Sequence, residues 1–234
     1  MTRKNAKRLI ALLVASALLA VGGLPAFAME TGQVDRRHVA ATECYIDKTG
    51  LVREWTGEVI ALPGKAVDLA AGVNAAAANS VLNTAAVLAD GSLYVWGRNL
   101  SGCLISGQPE KIEQPTKVKG LANVVSVSLG DGYGFIALTS DGAVYVKDTG
   151  IKAPTRAPLP ERAAAVSRGG SCAAITLSGN LYTWEGAGAP AKVDHLPAVK
   201  AVSSGAAMTA AVTTDGAVYT WGSDWGSNGF NQLG

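Results

Sequence analysis

Asp215-Gly216-Ala217-Val218-Tyr219-Thr220-Trp221-Gly222 is the stretch on which the reading of this 234-residue chain turns. An Asp-Gly pair set between runs rich in Val, Ala, Thr and Tyr is a strong short-range signal for a β-hairpin. Gly takes the positive φ of a tight turn, and Asp tolerates that turn while bonding its own backbone. The flanks, Met208 to Thr213 and Ala217 to Trp221, suit a pleated, half-buried surface. The same hairpin recurs at Asp90-Gly91-Ser92-Leu93-Tyr94-Val95-Trp96 and at Asp141-Gly142-Ala143-Val144-Tyr145. Ser replaces Asp at Ser178-Gly179-Asn180-Leu181-Tyr182-Thr183-Trp184, and Thr49-Gly50-Leu51-Val52-Arg53-Glu54-Trp55 is a degenerate first copy.

The turn glycines therefore fall at 50, 91, 142, 179 and 216, with spacings of 41, 51, 37 and 37 residues. A second motif precedes each turn, with one apolar residue at every third position. Val193, Leu196, Val199, Val202 and Gly205 form one copy, and Val118, Leu121, Val124, Val127 and Gly130 form another. Weaker copies end at Gly72 and Gly169. Period three fits neither a helix nor one plain strand, so it predicts a short strand, a turn, and a second strand whose phase has shifted. Each unit then supplies about four short strands, which is one propeller blade. A blade apolar on both faces is unstable alone, and stacking on its neighbours buries both. An Ala-rich run from Leu69 to Leu88 is the best stretch for a helix, but its place in the repeat predicts strand with an insertion.

Upstream of the repeats, Met1 to Ala28 reads as an export leader. Arg3, Lys4, Lys7 and Arg8 form its positive start, Leu9 to Val21 its apolar run, and Ala26-Phe27-Ala28 its cleavage site. The apolar run is shorter than the roughly 20 residues a spanning helix needs, so no membrane span is expected after cleavage. Residues 29–43 are polar and aperiodic and read as a flexible lead-in. Four of the 20 Lys and Arg lie in the leader, so the remainder carries 16 positive charges against 18 negative. A slightly acidic chain has no electrostatic warrant for binding nucleic acid. The three cysteines, Cys44, Cys103 and Cys172, are odd in number and lack a C-x-x-C pattern, which argues against a disulfide framework or metal centre.

Catalytic constellations are not recognisable. His38 and His195 are the only histidines, and no nucleophile motif accompanies them. Leu62-Pro63-Gly64-Lys65-Ala66 lacks the earlier Gly and the hydroxyl of a phosphate loop. Asp90, Asp141 and Asp215 share a place before a turn Gly and read as structural, together with Gly91, Gly142, Gly179 and Gly216. Trp55, Trp96, Trp184 and Trp221 keep motif positions and read as blade-packing residues. The connectors Arg98 to Gln114, Asp148 to Pro160, Glu185 to Pro190 and Ser223 to Gln232 map to one face of the array, where binding residues concentrate. Arg98, Tyr133, Trp225 and Phe230 are the candidate partner-binding residues. Asn99-Leu100-Ser101 is a glycosylation sequon.

These residues resemble the regulator of chromosome condensation repeat family, whose signature runs approximately V-x-x-L-x-x-V-x-x-V-x-x-G and then A-L-T-x-D-G-x-V-Y-x-W-G-x-N-x-x-G-Q-L-G. Ala137-Leu138-Thr139-Ser140-Asp141-Gly142-Ala143-Val144-Tyr145, Trp96-Gly97-Arg98-Asn99 and Asn231-Gln232-Leu233-Gly234 carry the likeness. The resemblance covers nearly all of residues 44–234. It implies an all-β, seven-bladed propeller of which about four blades are present, as an incomplete ring truncated at its C-terminus. Gly134, Ser171 and Met208 stand where the family usually has His, and Lys147 replaces a Trp.

The functional expectation is an exported, non-enzymatic propeller of the bacterial type, without cofactor or metal. Its loops would recognise a protein or a cell-surface ligand, placing it outside the cell or on its surface. Inhibition of an extracellular enzyme such as a β-lactamase is one alternative, because family members of that kind are similar in repeat length. Guanine-nucleotide exchange on a small GTPase is another. A carbohydrate-cleaving propeller would need paired carboxylates, for which Asp131, Asp148, Asp194 and Asp224 are the nearest candidates.

Overall fold

A computed structural model describes residues 44–72, 83–130 and 134–222 of the chain. A two-stranded hairpin comes first, β1 (Cys44–Ile46) with β2 (Val52–Glu54). Blade A is β3 (Ala66–Gly72), β4 (Asn83–Leu88), β5 (Leu93–Arg98) and β6 (Lys111–Lys117). Blade B is β7 (Val124–Leu129), β8 (Gly134–Thr139), β9 (Val144–Asp148) and β10 (Thr155–Arg156). Blade C is β11 (Ala163–Arg168), β12 (Cys172–Thr176), β13 (Leu181–Trp184) and β14 (Ala191–Lys192). Blade D contributes three strands, β15 (Val199–Ser204), β16 (Met208–Thr213) and β17 (Val218–Gly222). Every pairing is antiparallel and sequential, and the first strand of each blade packs against the first strand of the next.

The period-three motif has a simple origin in this arrangement. Val118 and Val193 close the outer strand of one blade, Leu121 and Leu196 lie in the connector, and Val124 and Val199 open the inner strand of the next. The step from there to Val127 and Val202 crosses a β-bulge, which every inner strand carries: Ala66/Asp68, Val124/Ser126, Ala163/Ala165 and Val199/Ala201. One extra residue shifts the alternation by one and turns a period of two into an apparent three. The Ala-rich stretch is strand at Ala66–Gly72 and Asn83–Leu88, and residues 73–82 lie outside the described ones.

Among the described residues four apolar clusters form the core, and each lies between successive units. Cys44, Ile46 and Val52 of the hairpin meet Ala86 and Leu88 of blade A, with Tyr94 and Trp96 packed alongside. Ala85, Val87, Leu93 and Val95 meet Phe135 and Ala137. Ile136, Leu138, Val144 and Val146 meet Ala174, Tyr182 and Trp184. Ala173, Ile175 and Leu181 meet Val202 and Ala211, with Trp221 alongside. The central strand β8 is buried at all six positions because odd and even residues serve opposite clusters. Alternation that would leave one face wet in a lone sheet here feeds two cores. Each fully buried Leu, Ile or Phe is worth roughly 1.5–3 kcal/mol, so the interfaces hold most of the stability.

Two backbone devices repeat at the interfaces. The carbonyl of each turn glycine accepts an N–H from the start of the next inner strand: Ala66 to Gly50, Val124 to Gly91, Ala163 to Gly142 and Val199 to Gly179, at 2.8–2.9 Å. At the other rim the repeat glycines nearly touch. A Cβ on Gly72 would lie 2.5 Å from the Gly130 carbonyl oxygen, and one on Gly130 would lie 2.6 Å from that of Gly169. Gly169 approaches Gly205 still more closely. No side chain fits there.

The turns themselves are capped by carboxylates. Asp90 accepts from the Ser92 amide at 2.9 Å, Asp141 from the Thr139 hydroxyl at 2.6 Å, and Asp215 from the Thr213 hydroxyl at 2.5 Å. These bonds hold all three carboxyls below the usual carboxylate range. Asp47 does the same work in the first hairpin, from three residues before Gly50, bonding Thr49, Leu51 and Arg53. Blade C has Ser178 in the Asp place, and there Glu161 reaches in from the connector to accept from Ser178 Oγ and from Asn180 Nδ2 at 2.9 Å.

Candidate recognition rim

The loops between the third and fourth strands gather on one rim, and the loop of blade A is the longest described. Asn99 organises it. Fully buried, its Nδ2 donates to the carbonyls of Ile105 (2.9 Å), Pro109 (3.0 Å) and Gln108 (3.3 Å), while its Oδ1 accepts from the amides of Leu104 (2.8 Å) and Ile105 (3.0 Å). Short irregular backbone at Leu100–Gly102, with Ser101 at φ 51°, lets the chain curl around that amide. Cys103 and Leu104 plug the blade A–blade B core beneath, leaving Ser106, Gly107, Gln108 and Glu110 exposed above. Ser106 Oγ donates to the Ile151 carbonyl in the blade B loop at 3.1 Å, so the two loops are joined. An Nδ2 so engaged and out of water cannot accept a glycan in the folded state. The sequon at Asn99 is structural.

Below these loops a string of polar groups crosses three blades. Lys147, buried where three other hairpins have Trp96, Trp184 and Trp221, donates to the Gly102 carbonyl and to its neighbour's carbonyl at Asp148 (3.0 Å). Burial pushes its ammonium below the ordinary lysine range, against the opposing pull of Cys103 and Asp148. The Asp148 carboxylate pairs with Arg168 of blade C at 2.6 Å, and Arg168 also donates to Cys172 Sγ at 2.6 Å. Burial raises the Cys172 thiol to about 11 and the Cys103 thiol above its usual value, so both are protonated, unreactive packing groups. Gly134 is obligatory beside this string: its φ is +106°, and a Cβ would strike the Lys147 and Cys103 carbonyls.

Of the candidate partner-binding residues, Arg98 is half-buried at the end of β5, opposite Lys111 and beside the Asn99 loop. Tyr133, Trp225 and Phe230 lie outside the described residues, as do His38 and the leader. Trp184 is buried, and Trp96 and Trp221 pack at interfaces, whereas Trp55 is 62% exposed and stacks on Tyr45 with ring centroids 5.2 Å apart. The carboxylates considered for glycoside cleavage do not converge: Asp148 is tied to Arg168, Asp194 is exposed in the connector before blade D, and Asp131 and Asp224 lie outside the described residues. Among the described residues no group of three or more His, Cys, Asp or Glu could hold a metal, and no helix is long and apolar enough to cross a membrane.

Family models for the regulator of chromosome condensation (RCC1) repeat match residues 90–137, from the hairpin turn of blade A into β8 of blade B, and residues 199–224, which contain the strands of blade D. Those two segments are thus repeats of the regulator of chromosome condensation type, set in a propeller fold of the same kind. RCC1-repeat architecture is equally plain in solved structures. Yeast RCC1 (Prp20), solved bound to Kap60, superposes with a TM-score of 0.61 at 17% identity, over 76% of this chain and 53% of that one. Human WBSCR16 gives 0.57 at 19% identity, over 76% and 51%. In sequence, the E3 ubiquitin-protein ligase HERC2 of Homo sapiens is 32% identical over 129 residues, 47% of this chain and 3% of HERC2. The chain thus spans a small fraction of that curated relative and about half of each solved propeller.

Arg168, Glu161 and Asp68 were not readable as functional or architectural residues from their spacing, and Asn99 was legible only as a motif position and a sequon. Arg168 had one signal, a cation immediately before a repeat glycine where Ala71, Leu129 and Ser204 stand in the other blades.

Proposed function

We propose that this chain is an exported, non-enzymatic RCC1-repeat propeller that uses its connector rim to recognise a protein or cell-surface ligand, with no cofactor. The observation carrying this reading is the Asn99 loop. Five hydrogen bonds from one buried amide fix a surface loop whose tip is polar and exposed. A loop fixed before binding avoids the ordering cost that association otherwise incurs. Interaction roles in the family support it: Prp20p of Saccharomyces cerevisiae was crystallised and its binding to Gsp1p and histones studied. Export rests on the leader Met1–Ala28, and inhibition of an extracellular enzyme is a finer form of the same reading.

Two measurements test it. A reporter fused behind residues 1–40 should be exported and cut after Ala28; cytosolic retention of the uncut fusion would remove the extracellular assignment. Full chain carrying the loop-tip change Ser106→Ala, Gln108→Ala and Glu110→Ala should keep its thermal transition and lose at least about tenfold in capture of its extracellular partner. Unchanged capture would exclude this rim.

A further inference from the structure

Two departures of blade B from the repeat meet under the Asn99 loop of blade A. Blade B has Gly134 where blades A, C and D have Asn83, Ser171 and Met208, and Lys147 where they have Trp96, Trp184 and Trp221. Gly134 makes room for the loop, since a Cβ there would lie 2.8 Å from the Cys103 carbonyl oxygen. Lys147 holds it, donating from a buried ammonium to the Gly102 carbonyl. The same ammonium donates to the Asp148 carbonyl at 3.0 Å, and that oxygen also accepts the Ile151 amide at 3.1 Å. The Ile151 carbonyl in turn accepts from Ser106 Oγ at 3.1 Å. Hydrogen bonds thus leave the blade A loop at Gly102, cross to blade B through Lys147, and return at Ser106. The Asp148 carboxylate extends the circuit to the Thr149 amide at 2.7 Å and to Arg168 of blade C at 2.6 Å. An indole has one N–H and could not serve two carbonyls, whereas an ammonium has three donors.

We propose that Lys147 is the positioning residue of the recognition rim, locking residues 99–110 of blade A and 149–154 of blade B into one unit. Order in the Asn99 loop is thereby transmitted to the loop of blade B. This deepens the rim reading and rests on it, because the recognised surface becomes both loops together: Ser106, Gly107 and Gln108 with Thr149, Gly150 and Lys152, all exposed. Groups in one hydrogen-bond network are energetically coupled, and a cycle of paired substitutions measures that coupling. The Trp of the other hairpins would fill the interface with apolar surface but leave the two loops to move separately.

Limited trypsin digestion of the full chain reads the blade B loop without any partner, because Lys152 is exposed and is followed by Ala153. Lys147→Met keeps the length of the side chain and removes its donors, and it should quicken cleavage after Lys152 at least about threefold. Lys147→Trp, carrying the residue of three other hairpins, is the second variant and should act alike. Ser106→Ala, at an exposed position, cuts the other crossing and should quicken the same cleavage. Asn99→Ala should quicken it at least about threefold in the wild-type background, and by less than about 1.5-fold once Lys147→Met and Ser106→Ala have cut both crossings. Cleavage after Lys192, exposed in blade C, should keep its wild-type rate throughout. Unchanged cleavage after Lys152 in both Lys147 variants would overturn the proposal, as would an Asn99→Ala effect that persists undiminished with both crossings cut. Equal acceleration after Lys152 and Lys192 would mark general loosening of the fold and equally overturn it. No partner enters these readouts, so their failure is separate from a failure of capture by the rim.

Discussion

Asp68 offers a quantitative test of how the blades are joined. It sits on the inner strand of blade A, 1% exposed, and its Oδ2 accepts the Val127 amide of blade B at 2.9 Å while Oδ1 accepts the Leu69 amide at 3.0 Å. Burial outweighs these bonds and one from Ser126, and it raises the carboxyl to about 7. Because the folded value lies above the unfolded one of 3.8, the native state holds a proton that the unfolded chain has lost. Asp68 therefore supports the fold fully below pH 4 and loses that support as pH rises through 7. Linkage between pH 5 and pH 8.5 then amounts to roughly 2–3 kcal/mol, lost as the pH rises.

The substitution to make is Asp68→Ser, since Ser126 already fills the same place in blade B. At pH 5 the variant forfeits the Val127 contact and should be less stable by about 1–3 kcal/mol. At pH 8.5 the wild type carries a buried charge that the variant lacks, so the two should be close or reversed. Urea unfolding of both proteins at the two pH values measures the difference, and titrations common to both cancel. A difference that stays constant within about 0.5 kcal/mol, or that grows more unfavourable with rising pH, would show that Asp68 is ionised and held by the Val127 and Leu69 amides, refuting the reasoning.

Gly130→Ala should cost roughly 2–4 kcal/mol in thermal unfolding, because its Cβ meets the Gly169 carbonyl at 2.6 Å, whereas Gly205→Ala, with 3.6 Å to the nearest atom, should change stability by less than about 1 kcal/mol. Asn99→Ala should expose residues 100–109 to limited proteolysis and destabilise by about 2–4 kcal/mol, since several backbone groups lose their partner at once; equal cleavage of variant and wild type would count against the pinned loop. Glu161→Gln should remove part of the acid-side loss of stability, because Glu161 titrates below its usual value in the fold and its contribution, present at neutral pH, fades as pH falls through that lowered value.

The hairpins and their repetition were legible because Gly and Asp at a tight turn are local requirements, readable without a partner. The bulge was visible only as an odd period, since its cause is the pairing of Val124 with Thr139 and of Ser126 with Leu138 across two strands. Trp55 matched its motif place yet lies 62% exposed and stacked on Tyr45, because a motif records the residue and not how deeply it is buried. Glu161 was illegible for a related reason: it caps a turn 17 residues away, replacing the Asp that blade C lacks at Ser178. Asn99 read as a sequon because the five partners that consume its amide appear only once the loop has closed.

A gradient of side-chain size across each blade follows from the same contacts and explains the curvature of the arc. At the inner rim Gly72, Gly130, Gly169 and Gly205 leave no side chain between neighbouring backbones. The third strands instead set Tyr94 and Trp96, or Tyr182 and Trp184, into the gap between blades. Close approach on the inside with rings farther out forces each sheet to fan away from the last, so the wedge is written in residue volumes. Lys147 breaks the gradient, placing a long cation where a Trp belongs. At that interface the loop carbonyl of Gly102 and the Asp148 carbonyl replace apolar packing, and Asp148 in turn engages Arg168. A blade that gives up its ring needs polar partners from both neighbours, and the loops they come from are thereby fixed on the rim.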